Sequence, residues 1–423
     1  MLNREENKLI TQVGPGTPLG KVMRRYWIPA LLSEEIPTPD CPPVRVKLLG
    51  EELVAFRDTQ GGIGLLEEYC PHRLASMFLG RNEHNGLTCV YHGWKFDVDG
   101  NCVDTPNEPV ESRFKEKVRM QSYPTIEQGG VVWAYMGPAD KKPDGPGMEW
   151  TRAPQSQRFV SKTIEYCNYL QSIEGGIDTV HSSFLHNNDL SNLRHFKRID
   201  TAPKLEVERT AYGFRYAGIR DVGEIGNYVR IYQFVLPFHQ FRSHQVDYDA
   251  GTGERLSIPL IKGHMWVPMD DENTMIYNWM LAVDENKPLT QKFIEKAETT
   301  AGRGPNGESA VRYQTRASDW LIDRDVQRTK TYTGIKGLNT QDLAVQESMG
   351  PIVDRSREHL GSTDKAIIMC RRVLLDAIRD LQNGIDPPGA DSSAYRGIRS
   401  ADIMVPKDRR WQDAAKEKLL ARW

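Results

Sequence analysis

Two short stretches decide the reading of this chain: Cys70-Pro71-His72-Arg73, and Cys89-Val90-Tyr91-His92-Gly93-Trp94-Lys95-Phe96-Asp97. Each offers one thiol and one imidazole. Each follows a run that reads as a β-strand, GIGLLEEY before the first and the LTCV start of LTCVYHGWKFDVDGNCV at the second. Sixteen residues separate His72 from Cys89. Pro71 stiffens one loop tip, and Gly93 lets the other turn tightly.

Two ligand readings compete. A Cys₂His₂ set can hold one structural zinc. A zinc finger, however, pairs cysteine with cysteine and histidine with histidine, and places the histidine half on a helix. Here each half mixes the two types on a β-loop. Two hairpin tips of that kind suit a flat [2Fe–2S] diamond clamped from both sides, with two cysteines on one iron and two histidines on the other, the Rieske arrangement. Imidazole ligation raises the potential of such a cluster above that of a four-thiolate one. Two unrelated buried pairs would explain the double pattern less well.

Working outward, VRVKLLG, EELVAFRD and GGVVWAYMG supply further short strands, and Asp99-Gly100 is a hairpin turn signal. PTPDCPPVRV reads as a linker entering this unit, and the Pro/Gly-rich Pro138–Pro154 stretch as the exit from it. Residues 42–154 are therefore expected to form an all-β domain. Residues 1–41, with a short helix over Leu19–Tyr26, are expected to pack on the larger domain beyond 154. There, longer antiparallel strands (RFVSKTIEYC, KLEVERTAYGFRYAGIR, NYVRIYQFVLPFHQFRSH, IKGHMWVPM, NTMIYNWMLAV) alternate with helical signals. The helices are Asn168–His186, Thr290–Thr300 and Asp364–Leu381. In the last, Ile367, Ile368, Val373, Leu374, Ile378 and Leu381 recur at near-helical spacing. The Arg303–Ser309 stretch reads as a loop.

A second cluster lies in LQSIEGGIDTVHSSFLH, with Glu174, Asp178, His181 and His186. Two residues separate Asp178 from His181 and four separate His181 from His186. On a helix that bends or frays, the two imidazoles can converge on one metal. Two histidines and a carboxylate make the facial triad of mononuclear non-haem iron, with open positions left over. A His-x₄-His alone reads equally well as a helix with satisfied polar groups. The cluster motif upstream tips the balance.

Composition bounds the rest. The chain has 423 residues, 39% hydrophobic and 26% charged, which is ordinary for a globular protein of two or three domains. Lys plus Arg total 55 and Asp plus Glu total 57, for a net charge of −2. That balance argues against a general binder of nucleic acid or anionic membrane. Six cysteines are too few for a disulfide scaffold, and Cys41, Cys102, Cys167 and Cys370 are expected to be unpaired thiols. The opening MLNREENKLITQ lacks the apolar core of a signal peptide. No run approaches the roughly 18 apolar residues of a membrane span. The expected location is the cytoplasm.

Taken together, CPHR, CVYHGWKFD and EGGIDTVHSSFLH resemble the large subunit of Rieske non-haem iron aromatic-ring-hydroxylating oxygenases. The opening VGPGTPLGKVMRRYWIPALLSEEI and the LQ-x-x-EGG-x-D-x-x-H form resemble the phthalate dioxygenase group most, with the phenoxybenzoate and chlorobenzoate dioxygenases on the same branch. The resemblance covers essentially the whole chain. It implies an α+β fold: the all-β cluster domain, then over residues 155–423 a catalytic helix-grip domain whose curved antiparallel sheet holds a long helix. It implies one Rieske [2Fe–2S] cluster on Cys70, His72, Cys89 and His92. It also implies one Fe(II) on His181, His186 and a carboxylate far downstream. Asp342 in TQDLAVQESMG is the best candidate for that carboxylate, ahead of Asp354 and Asp325. It implies that Asp178 lies between a cluster histidine of one subunit and an iron histidine of the next, which demands a head-to-tail ring, a homotrimer or a hexamer of two trimers.

The implied reaction is cis-dihydroxylation of an aromatic carboxylate with O₂, with monooxygenation or O-demethylation as the main alternative. The chain carries no C-x₄-C-x₂-C ferredoxin pattern, and Gly14-Pro15-Gly16 with Gly20 misses the G-x-G-x-x-G spacing. A separate NAD(P)H-linked flavin/ferredoxin-type reductase is therefore implied. A carboxylate-bearing ring calls for a cation, and Arg215, Arg220, Arg230 and Arg242 lie on predicted strands. His239, His244 and Trp279 are further candidates to line the same pocket. Two readings from other classes are a zinc-stabilised binding protein, colourless and free of acid-labile sulfide, and an electron carrier with a cluster but no second iron.

Overall fold

The computed structural model of the chain describes residues 2–192, 196–244, 246, 258–303 and 314–423. In the N-terminal third, Val44–Leu48, Glu51–Arg57 and Ile63–Glu67 form one antiparallel sheet. Its central strand is buried on both faces. Leu53 and Ala55 belong to the large core of the molecule, and Val54 and Phe56 to a smaller core under the cysteine-bearing loops. That split is the period-two alternation of a strand. A second sheet runs in chain order through Arg81–Asn82, Leu87–Thr88, Lys95–Phe96 and Cys102–Asp104. The last two strands are joined by the expected turn. Gly100 sits at φ +80°, and Asp97 Oδ1 accepts the N–H groups of Asp99 and Asn101.

Residues 1–41 divide. Helices Arg4–Thr11 and Pro18–Met23 lie against the long helix Lys365–Gln382. Strand Trp27–Leu32 instead pairs with Val131–Tyr135, which in turn pairs with Thr125–Gln128. All of Trp27–Leu32 and Val131–Tyr135 is buried. This third sheet therefore sits in the large core, between the cluster loops and the C-terminal part.

The C-terminal part is built on an eight-stranded antiparallel sheet. Its order is Arg158–Glu165, Thr274–Ala282, Leu260–Pro268, His239–His244, Asn227–Val235, Gly213–Asp221 and Lys204–Thr210, with Ala401–Val405 added alongside Asn227–Val235. Helix Tyr169–Ile177 lies across Leu260–Pro268. It approaches closely because Gly176 has no side chain: a Cβ there would stand 2.0 Å from the Trp266 ring. The helix Lys365–Gln382 turns Cys370, Val373, Leu374, Ala377 and Ile378 into the core, while Ile368, expected on that face, is 38% exposed.

Two expected helices hold nearly as read. Gln291–Ala301 is capped by Thr290, and Lys365–Gln382 starts after Asp364. The expected Asn168–His186 helix is shorter. Asn168 caps it, and it ends at Ile177. Asp178 turns extended (φ −64°, ψ 128°) and its carboxylate accepts the Val180 and His181 N–H groups at 2.7 and 3.1 Å. That local bond competes with continuation of the helix. Most of the expected loop after Arg303 lies outside the described residues. All six cysteines are free and buried. No helix among the described residues is long and apolar enough to cross a membrane.

Glu174 ties the distant parts together. Its carboxylate accepts from Arg355 Nε at 2.9 Å and from Arg371 Nε at 2.6 Å. Arg355 also donates to Asn7 Oδ1 on the first helix, and Arg371 pairs with Glu358. Arg355 is fully buried. Removing the charge from one partner of such a buried pair strands the other. Glu174→Gln should therefore cost about 3 kcal/mol, read as a fall of several degrees in the thermal unfolding midpoint. An unchanged midpoint would show that the two guanidinium groups do not depend on it.

Candidate functional site: a paired metal centre and a basic cavity

The cysteine and histidine loops come together tip to tip. Cys70 and Cys89 are buried, while His72 and His92 are half-buried at the surface side. Tight turns shape both loops. Leu74 N–H donates to Cys70 O at 2.8 Å, and Gly93 N–H, at φ +78°, donates to Cys89 O at 2.9 Å. The four residues sort by type. The two thiols interact directly, and the two imidazole rings lie 4.3 Å apart between centroids. Burial pushes the Cys70 thiol up to about 12, and the nearby Cys89 adds to this against a bond from the His72 backbone N–H. A positive centre between the sulfurs is what makes such a pair ionise. His72 stacks flat on the buried Trp94 at 4.4 Å, which fixes its ring plane.

A single zinc needs all its ligands within one tetrahedron. Among the described residues, His181, His186 and Asp342 form the one group of three or more whose ligand atoms all lie within 4.8 Å of one another. The cysteine and histidine set is wider than that. Its spread, and its sorting of sulfur with sulfur and nitrogen with nitrogen, fit a two-iron diamond better than one zinc.

The second centre draws on two elements. His181 opens the short turn His181–Ser183 that follows the Asp178 break, and His186 comes soon after. Asp342 lies in helix Leu338–Ser348. The Nε2 atoms of His181 and His186 are 3.2 Å apart, and Asp342 Oδ1 is 3.6 and 3.2 Å from them. Gln341, fully buried, donates through its amide to Asn188 Oδ1 and Ile335 O, both at 2.8 Å. Its Oε1 is thereby aimed at His186 Nδ1, 2.8 Å away. The proton then sits on Nδ1, and the Nε2 lone pair faces His181 and Asp342. Burial alone would raise the Asp342 carboxyl, but the two imidazoles and Arg242 outweigh it and hold it below the ordinary range.

Asp178 stands on the other side of His181. Its Oδ2 is 3.6 Å from His181 Nδ1, a nitrogen with no hydrogen-bond partner of its own. Burial would raise this carboxyl too. The imidazole and the two backbone N–H groups reverse the effect. The other two carboxylates weighed as third ligand are elsewhere. Asp354 caps the turn Arg355–Arg357, and Asp325 pairs with Arg328 at the surface. Glu174, the remaining carboxylate of the second cluster, is held by its arginines.

A cavity of about 510 Å³ opens beside the second centre. Of the four candidate arginines, Arg230 and Arg242 line it. Arg215 does not. It pairs with Glu208 and lies over the Trp411 ring, 5.7 Å from its centroid. Arg220 is buried behind the site turn, donating to Thr179 O and Asp200 O. His244 and Trp279 line the cavity, whereas His239 stacks in the core on Trp133. The sequence reading missed Lys197, Lys262, Arg303 and His264, which also line it, and Gln341 behind His186. Basic side chains thus outnumber the lining carboxylates, Asp178 and Asp342.

The Rieske [2Fe-2S] domain model matches residues 26–124, and the model described as LigXa C-terminal domain like matches residues 134–421. The phthalate 4,5-dioxygenase oxygenase subunit of Pseudomonas putida is 39% identical, over 98% of this chain and 94% of its own. The 3-chlorobenzoate-3,4-dioxygenase oxygenase subunit of Comamonas testosteroni is 38% identical over 98% of both. Among solved structures, the Pseudomonas putida CBB5 NdmA QL mutant with caffeine superposes with a TM-score of 0.60 at 19% identity, over 93% of this chain and 99% of its own, a likeness of fold alone. The chain belongs to the Rieske non-haem iron aromatic-ring-hydroxylating oxygenases, as an oxygenase subunit of the phthalate dioxygenase-like group.

Proposed function

We propose that this protein is the oxygenase component of a two-component system that cis-dihydroxylates an aromatic carboxylate, with electrons from a separate NAD(P)H-linked reductase. The observation that carries this reading is a basic cavity opening directly on the His181, His186 and Asp342 group. Cys70 and Cys89 would hold one iron of the cluster and His72 and His92 the other; His181, His186 and Asp342 would hold the mononuclear iron. When bound, the cluster relays single electrons and the iron activates dioxygen.

The chain's own residues do the positioning. Arg242 and Arg230 attract and orient the carboxylate. Met280, on the cavity face of its strand, offers an apolar wall for the substrate ring. His264 is held neutral, since burial and then Arg242 and Arg303 push its pKa well down. It therefore offers a hydrogen bond without adding charge. Gln341 keeps the His186 ring in one tautomer.

In this reading Asp178 links His181 to a cluster histidine of a neighbouring copy in a trimer or a hexamer. Two features support it. The Asp178 side chain is partly exposed beside an unpartnered His181 Nδ1. The cluster loops also present exposed apolar side chains, Leu74 (71%), Val90 (54%) and Tyr91 (53%).

Three measurements test the proposal. Oxygen uptake with benzoates and phthalates and a matched reductase should yield a cis-dihydrodiol from a ring carboxylate. A dealkylated or monohydroxylated product would move the chain to the other oxygenase reactions of its family, and a lack of turnover with every ring carboxylate would reject the substrate class. Asp342→Ala should lose the mononuclear iron while keeping the cluster chromophore, by metal analysis and visible spectroscopy; iron retained at full stoichiometry would place the third ligand elsewhere. Asp178→Asn should keep both metals yet lower turnover by about 100-fold or more, and near-normal turnover would remove it from the path between centres.

A further inference from the structure

Helix Gln291–Ala301 walls part of the cavity. Phe293, Ala297 and Ala301 recur at every fourth position, which puts them on one face of it. All three line the cavity, and they span about 12 Å of helix axis. The rotation of the helix is fixed from another side. Glu298, fully buried, accepts from Ser161 Oγ at 2.8 Å and from Arg303 Nε at 2.7 Å. The end of the helix is fixed too. Gly302, at φ +88°, lies against Gly337, the residue before helix Leu338–Ser348: a Cβ on Gly337 would stand 2.7 Å from Gly302 Cα. The apolar stripe therefore starts beside the helix that carries Asp342 and runs outward to Phe293.

The sheet places one more apolar group at this end. Arg242 stands opposite Lys262, and Lys262 opposite Met280, so Met280 lies two strands from Arg242, about 10 Å. Ser161, which holds Glu298, belongs to the edge strand Arg158–Glu165 next to Thr274–Ala282. The helix thus sits at the edge of the sheet nearest Met280 and away from Arg242. Lys296 and Thr300, which the same helix adds to the lining, are exposed.

Phe293, Ala297, Ala301 and Met280 belong to none of the packed cores of the described residues. Ala301 and Met280 are nonetheless buried, at 8% and 4% exposure, and Phe293 and Ala297 are half-buried. Their apolar surface is turned to the cavity instead of to a core. Size points the same way. A cavity of roughly 150 Å³ is enough for one benzene ring, whereas this one measures about 510 Å³. A single ring held by its carboxylate at the arginine end leaves the apolar end uncovered.

We infer that Phe293, Ala297, Ala301 and Met280 form a subsite for an apolar substituent on the ring position opposite the carboxylate, and that Ala297 is the specificity-determining residue that sets its depth. The inference rests on the reading of the cavity as the site of an aromatic carboxylate. It adds the chemistry of the other end of the substrate. Water covers the stripe while the subsite is empty, and a substituent that displaces it gains roughly four-fold in affinity for each carbon buried. The Ala297 side chain is a single methyl at the middle of the stripe, one turn from Phe293 and one from Ala301. A larger side chain there takes the room that the substituent needs.

Calorimetric titration of the holoenzyme with benzoate and its 4-methyl, 4-ethyl and 4-propyl derivatives tests this. In wild type the dissociation constant should fall roughly four-fold with each added carbon, or about fifty-fold across the series. Ala297→Leu should flatten the series, and the smaller Ala297→Val should flatten it in part. Iron content and the cluster spectrum report folding in each variant. A flat or rising series in wild type would overturn the subsite. A series equally steep in both variants would overturn the place given to Ala297. Undetectable binding of all four acids would instead overturn the carboxylate reading on which the subsite rests.

Discussion

Asp178 ends a helix by accepting the N–H groups of Val180 and His181, and the catalytic half of the molecule is arranged around that break. Had Tyr169–Ile177 continued, His181 and His186 would have stayed on a rod gripped by the sheet. The break swings them off the axis. Their Nε2 atoms then meet each other and a carboxylate from a helix that arrives much later in the chain. The same carboxylate of Asp178 keeps an edge toward His181 Nδ1. One short side chain thus closes the helix, sets the turn and stands beside the imidazole it positions.

What surrounds the break is made rigid by different means on each side. Toward the sheet, Gly176 lets the helix sit directly on Trp266. Toward the outer helices, Glu174 holds two buried arginines, one reaching Asn7 on the first helix and one carried by the long helix Lys365–Gln382. Neither contact touches His181, His186 or Asp342. Both fix the axis from which the two histidines depart, and packed interiors transmit small displacements.

The sequence made the paired loops legible because ligand type, spacing and turn residues all lie within a short local window. It made the strands legible through alternation. In Glu51–Arg57 even a continuous apolar run turned out to be alternation between two cores. It overextended the site helix, because the Asp178 bond to Val180 and His181 competes with helix on terms that periodicity does not register. Asp342 carries no local mark and is joined to its histidines only by tertiary folding, so it was reached through resemblance. The arginines show the same limit. Arg215 and Arg220 lie on one strand, yet one points to a surface pair and the other into the wall behind the site. Which face of a strand meets a cavity is decided by the sheet as a whole. Lys262 carries no local mark either; only the sheet register sets it opposite Arg242 at the cavity wall.

Two consecutive residues of one strand face two different parts of the molecule. Trp279 stacks on Trp150 at 5.3 Å, which itself stands 6.2 Å from Trp133 in the third sheet. Met280 turns to the cavity on the opposite face of the sheet and has no such tie, and methionine adapts its shape readily. The sheet therefore has one face that can be recut here and one that cannot. A wider chamber for a bulkier ring is open to redesign at Met280, whereas trimming Trp279 would loosen the seam that joins the electron-carrying half to the oxygen-using half.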